Sequence, residues 1–225
     1  MGDVAGKSLL HLQCHFGMDT LSWARLGAHV TGVDFSAEAI ALARSLSREL
    51  ALEARFICSD IYALPDVLEE QFDIVFTSYG VLCWLPDLER WAQVIAHFLK
   101  PGGVFYIVEI HPFCDVFYDE AEAGELRVAY SYFHDPQPMR WESAGSYADR
   151  GAHVQHNISY EWMHSLSDIV NALLATGLHI EYLHEFPYCV YARFPFLEEG
   201  ADGWWRLPGG ANLIPLTLSI KAHKE

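Results

Sequence analysis

The stretch Leu9-Leu-His-Leu-Gln-Cys-His-Phe-Gly17, with His29-Val-Thr-Gly-Val-Asp34 after it, decides the fold. Ser8 to Gln13 is a short apolar run, Cys14 to Gly17 a loop, and the short helix that follows is closed by Gly27. The run from His29 then ends on Asp34. Further out, Ser36 is an N-cap residue for a helix with Ala39, Leu42, Ala43, Leu46 and Leu50 on one face and Arg44, Arg48 and Glu49 opposite. Arg55 to Cys58 predicts a third strand, ending near Asp60, and Phe72 to Phe76 a fourth. Asp87 caps a helix whose stripe is Leu88, Trp91, Ile95 and Phe98. Lys100-Pro-Gly-Gly103 is a tight stop before Val104 to Ile110, a fifth strand that is apolar except for Glu109. Strands apolar on both faces, separated by helices of about three turns, predict an α/β fold with a parallel sheet covered on both sides. Ligands of such sheets lie at the carboxyl ends of the strands.

The second half is less regular. His111 to His164 is rich in aromatics and histidine, with no sustained period. Ser165-x-x-Asp168 starts a helix in the manner of a capping box, with Leu166, Ile169, Val170 and Leu173 as its stripe and Gly177 at its close. Leu178 to Phe186 and Ile214 to Ala222 read as two closing strands.

A chain of 225 residues that is 52% hydrophobic and 20% charged is no disordered polymer. Fourteen basic against 30 acidic residues give a formal charge of -16, and no Lys/Arg cluster offsets it, so nucleic acid is an unfavourable partner. No run approaches 18 uncharged apolar residues, and the first residues lack a signal peptide's pattern, so neither a membrane span nor export is expected. The five cysteines are odd in number and form no CxxC, which fits a reducing, cytoplasmic setting.

The turn after the first strand, followed by an acid after the second, has the logic of a nucleoside site. A tight turn lets backbone approach the ligand, and the carboxylate accepts from both ribose hydroxyls. A dinucleotide site would carry GxGxxG, whereas Gln13-Cys14-His15-Phe16-Gly17 has a single glycine. Spacing alone leaves an ordinary strand-to-helix turn open.

These residues resemble the first two motifs of class I S-adenosylmethionine-dependent methyltransferases, closest to a bacterial branch acting on small molecules. Ser59-Asp60-Ile61 resembles the third motif. Phe72 to Thr77 through Leu85-Pro-Asp87 resembles the fourth, and Leu99-Lys-Pro-Gly-Gly103 the turn before the fifth strand. The resemblance covers residues 7 to 110 in order and extends more loosely to the C-terminus. It implies a Rossmann-like, doubly wound, seven-stranded sheet, mostly parallel with the last strand antiparallel, and S-adenosyl-L-methionine as cofactor. Carried over by position, Asp34 holds the ribose, Phe35 lies against the adenine, and Asp60 accepts from the adenine amino group beside the Ile61 backbone. Thr77 and Ser78 floor the pocket. His11, Gln13 and His15 stand where the family more often has an acid and two glycines, and Gly17 keeps the family glycine. The resemblance further implies one domain over residues 1–225, with 111–164 as a lid over the acceptor side.

Methyl transfer to a small-molecule acceptor by in-line displacement asks for alignment and exclusion of water more than for covalent chemistry; a general base is needed only for a protonated nucleophile. Acceptor-side candidates are Tyr79, Trp84 and His111, joined by the aromatic segment with Tyr130, Tyr132, His134, Trp141 and Trp162. Packing under the lid is the plainer role for those aromatics. His153-x-x-His156 on a strand would point to opposite faces, so no metal is expected. Only about seven residues precede the first strand, where the family has one or two helices. Either the chain start is internal to a longer protein, or the lid comes from elsewhere, with the 111–164 insertion as its supplier. A more open cofactor pocket with weaker cofactor affinity is expected. Two rival functions stand beside this one: a nucleoside-binding protein or inactive methyltransferase remnant, favoured by the lost glycines, and a nicotinamide-dependent oxidoreductase, disfavoured by the single glycine.

Overall fold

β1 (Ser8–Leu12) is buried on both faces, which only a central strand between two helical layers allows. The computed structural model describes residues 2–119, 123–142 and 158–225. In chain order β1 is followed by α1 (Met18–Arg25), β2 (His29–Asp34), α2 (Ala37–Glu49), β3 (Ala54–Cys58), β4 (Phe72–Ser78), α3 (Leu88–Phe98) and β5 (Leu99–Ile110). Then come β6 (Met139–Glu142), β7 (Ile158–Glu161), α4 (Leu166–Ala175), β8 (His179–Phe186), β9 (Tyr188–Cys189), β10 (Glu198–Glu199), β11 (Trp205–Arg206) and β12 (Thr217–His223). The principal sheet runs β3-β2-β1-β4-β5-β12-β8. Its strands are parallel except β12, which pairs antiparallel with both β5 and β8. The seven-stranded, doubly wound sheet expected from the sequence is therefore the sheet observed.

Helices cover the two faces separately. α1 and α2 lie over Leu9, Val30, Phe56, Ile74 and Phe76, while α3 and α4 lie over Leu10, Leu12, Val33, Val75, Phe105 and Ile107. The caps read from the sequence hold: Ser36, Asp87 and Ser165 each accept a backbone N–H three residues on, and Ser165 with Asp168 forms the full capping box. The α3 stripe is buried as expected, Trp91 and Phe98 completely.

α2 corrects one expectation. Ala39, Ile40, Ala43 and Ser47 face inward, whereas Leu42 and Leu50 point to solvent. The helix is turned so that small residues meet Phe56, because the space there is tight: a Cβ on Gly17 would come within 2.7 Å of that ring, and one on Gly32 within 2.8 Å. The second half also holds more regular structure than its sequence suggests. In the aperiodic segment β6 and β7 pair antiparallel, and after β8 the strands β9, β10 and β11 form a small antiparallel sheet. These strands are two to four residues long, too short to show an alternation. Beneath them Cys114, Phe117, Cys189, Phe194, Leu197 and Leu216 build a second apolar cluster.

Candidate active site

Asp34 closes β2 at the carboxyl edge of the sheet and is buried. Its Oδ2 accepts the His15 N–H at 2.8 Å and its Oδ1 the Ser36 N–H at 2.9 Å. An ionised carboxylate has about four acceptor sites, so two N–H groups fix its orientation and leave acceptor capacity. Phe35 beside it is 73% exposed, an aromatic plate with nothing packed over it. Asp60 is exposed at the end of β3, and its Oδ1 caps the short turn Ile61–Asp66 by accepting the Tyr62 N–H at 2.7 Å; Ile61 is buried below it. Asp34, Phe35 and Asp60 thus lie at or just after the carboxyl ends of the neighbouring strands β2 and β3.

The turn between β1 and α1 keeps a glycine-like backbone without the glycines. Gln13 and His15 have φ of 56° and 51°, and Gly17 has 81°. Left-handed geometry costs an L-residue roughly 1–2 kcal/mol, so two side chains are carried there against conformational preference. His15 is exposed, its ring edge-on to Phe16, and does not enter the sheet. Gln13 donates its side-chain amide to the Val81 carbonyl at 2.9 Å, while its buried Oε1 has no partner. An orphaned acceptor at this turn suits a ligand with an ammonium or hydroxyl donor, and the Asp34 carboxylate suits a diol; the residues present fit an adenosyl amino acid.

Other expected cofactor contacts are placed elsewhere. His11 points toward α1, with Nδ1 2.8 Å from the Thr20 hydroxyl, Nε2 3.3 Å from the Ser78 hydroxyl, and its ring on Phe76. Burial lowers its pKa to about 4 against the raising field of Asp19. Ser78 donates to the Asp19 carboxylate at 2.7 Å, and Thr77 donates to the Leu12 carbonyl at 2.9 Å. The side chains of His11, Thr77 and Ser78 brace β1, β4 and α1 from within and do not floor a pocket. The reason is strand alternation: His11 shares the face of Leu9, under α1.

On the acceptor side, His111 is corrected as well. Its Nδ1 accepts the Phe113 N–H at 3.1 Å, so Nε2 carries the proton and donates to Glu185 at 2.8 Å. Both nitrogens are committed to capping Pro112–Val116 and to β8, and burial lowers the ring's pKa. Tyr79 is half-buried at the end of β4 with φ of 38°; burial, with Asp19, Tyr106, Glu109 and Tyr188 nearby, pushes its phenol up to about 12. Trp84 is half-exposed and donates to the Gly80 carbonyl. The aromatic segment packs largely on itself: Tyr130 edge-on to Trp141, His134 stacked on His164, Tyr132 accepting the Leu166 N–H, and Trp162 donating its backbone N–H to Cys83 and its indole to Pro136. His153 and His156 lie outside the described residues.

Two features escape a reading of the sequence. Arg193 pairs with Asp115 at 3.2 Å and with Asp119, and this group lies electrostatically close to Glu161 and Cys83, beside the loop after β4. Its partners are 74 and 78 residues distant in the chain, so no local pattern marks it. Glu109 is the second. It is 3% exposed, accepts the N–H groups of Gly80, Val81, Leu82 and Ile110, and burial pushes its pKa to about 7 despite them. Its signal was in the sequence: one carboxylate in an otherwise apolar strand.

Among the described residues no group of three or more His, Cys, Asp or Glu could hold a metal, and no helix is long and apolar enough to cross a membrane. Residues 10–107 match a family model described as a methyltransferase domain. Over 110 residues the chain is 33% identical to the ubiquinone biosynthesis O-methyltransferase of Shewanella pealeana, a match covering 49% of this chain and 46% of that protein. The chain thus spans about half the length of the curated relatives it matches. Among solved structures, an S-adenosylmethionine-dependent methyltransferase from Mesorhizobium loti superposes with a TM-score of 0.66 at 21% identity, covering 100% of this chain and 94% of that one. The (4+2)-cyclase SpnF superposes with 0.60 at 20% identity, covering 98% and 75%. The structural likenesses establish the fold.

Proposed function

We propose that the protein, whose residues 10–107 match a methyltransferase domain model, is a class I S-adenosylmethionine-dependent methyltransferase that transfers a methyl group to a small-molecule acceptor by in-line displacement. The observation that carries this is the Asp34 carboxylate, oriented by two backbone N–H groups beside the bare ring of Phe35. S-adenosylmethionine, when bound, supplies a methyl group on a sulfonium that departs as a neutral thioether. Asp34 holds the ribose diol, Phe35 and Asp60 the adenine, and Gln13 Oε1 accepts from the amino-acid end. Tyr79, protonated at neutral pH, donates a hydrogen bond near the reacting end and takes no proton. The described residues of the 111–164 insertion serve as the lid, excluding water over the acceptor. The net charge of -16 disfavours a polyanionic acceptor.

Isothermal titration with S-adenosylhomocysteine, NAD and NADP tests the cofactor. Binding of the first alone, lost in Asp34→Ala, is the expected result, and preference for NAD would overturn the proposal. Radiolabelled S-adenosylmethionine incubated with a metabolite extract tests transfer: a protein that binds the cofactor but labels nothing is a binding protein.

A further inference from the structure

Tyr79 and Gly80 both adopt left-handed backbone, with φ of 38° and 70°, and Val81 returns to the right-handed region. Successive residues of alternating hand turn their N–H groups into one concavity, a nest that binds anions. Here the anion is internal. The Glu109 carboxylate rises from β5 and takes the N–H groups of Gly80, of Val81 at 2.9 Å and of Leu82 at 3.2 Å, adding Ile110 at 2.7 Å from its own strand. It thereby caps the short helix Leu82–Trp84 from a different strand.

The loop so held is tied to both halves of the site. Toward the cofactor turn, Gln13 donates to the Val81 carbonyl; toward the lid, Trp162 donates to the Cys83 carbonyl and the His164 Nε2 lies 2.7 Å from the Leu85 carbonyl. We propose that Glu109 is the positioning residue of the reaction, holding the Tyr79–Leu85 loop at the junction of cofactor and acceptor so that methyl transfer depends on it more than cofactor binding does. This rests on the methyltransferase function above.

The substitution that tests it is Glu109→Gln. Glutamine keeps one acceptor oxygen but turns an NH2 group toward two of the N–H donors, so half the nest loses its partner. Three readouts on the intact chain decide the matter: amide hydrogen exchange at residues 80–82, S-adenosylhomocysteine affinity, and label transfer from S-adenosylmethionine into a metabolite extract. In the wild type, amides 80–82 exchange at least 100-fold more slowly than exposed loop amides. In Glu109→Gln they lose at least tenfold of that protection while the β1 and β4 amides keep theirs. Affinity stays within threefold, and transfer falls at least tenfold. Glu109→Asp, which keeps the charge one methylene further back, recovers part of the transfer, and it carries the comparison if Glu109→Gln does not fold. Unprotected amides at 80–82 in the wild type, equal transfer by wild type and variant, or parallel losses of affinity and transfer each overturn the assignment while leaving the function standing. A wild type that binds no S-adenosylhomocysteine overturns both.

Discussion

The backbone N–H of His15 lies 2.8 Å from the Asp34 carboxylate, so the end of β2 grips the turn that leaves β1. The two strands are hydrogen-bonded neighbours, and this contact extends their pairing past the last ladder residues, Leu12 and Val33. The acid therefore orders the turn as well as offering itself to a ligand.

Replacing Asp34 with asparagine separates those two tasks. The amide oxygen can keep one N–H bond, so the fold survives, but a charge-assisted acceptor is lost. Such bonds are worth about 1.5–3 kcal/mol, which corresponds to a roughly 10- to 150-fold weaker affinity for S-adenosylhomocysteine by titration calorimetry. An unchanged affinity would remove the diol contact from the proposal.

Phe35 is exposed and contributes little to stability. Phe35→Ala leaves the melting temperature unchanged, yet it weakens S-adenosylhomocysteine binding by roughly 2- to 12-fold, the equivalent of about 0.5–1.5 kcal/mol of ring stacking. Thermal melts with and without ligand measure both.

The turn can be probed at its left-handed positions. His15→Gly removes an exposed ring from a residue at φ 51° and keeps the N–H that Asp34 needs, so stability in urea stays the same or rises by up to about 1 kcal/mol. Gly17→Ala does the reverse: φ is 81° and the new Cβ meets Phe56 at 2.7 Å, so stability falls by more than the roughly 1–2 kcal/mol of backbone strain alone. A destabilised His15→Gly would mean that the imidazole has a structural task.

Two buried groups give opposing pH dependences. His11 titrates near 4 when folded against 6.5 unfolded, so its contribution is intact above 6.5 and lost as pH falls toward 4. Glu109 titrates near 7 against 4.5, so its contribution is intact below 4.5 and lost as pH rises to 7. Each spans on the order of 3 kcal/mol, and in the wild type they largely cancel between pH 4.5 and 6.5. Urea unfolding of His11→Asn across this range therefore shows stability falling with rising pH, and Glu109→Gln shows it rising. Parallel curves for both variants would contradict the assignment.

The strand-end positions of Asp34, Phe35 and Asp60 could be read from the sequence because a residue at the end of a parallel strand is placed by the strand itself. His11, Thr77 and Ser78 could not be assigned by position alone, since along a strand one residue's step reverses the face. His11 follows Leu9 toward α1, while Leu10 and Leu12 face α3. Glu109 was visible as an anomaly, but its role needed the loop that folds onto it. The Arg193 group is invisible locally, because tertiary structure alone brings Asp115 and Asp119 to it.

β12 is the last strand in chain order, yet it lies inside the sheet, and β8 pairs with nothing else in that sheet. During synthesis the ribosome must therefore deliver residues 217–223 before β8 can join the rest, and until then β5 and β8 each present an open edge. Premature termination upstream of Thr217 would release a chain with two unsatisfied ribbons, a substrate for chaperones and a seed for aggregation.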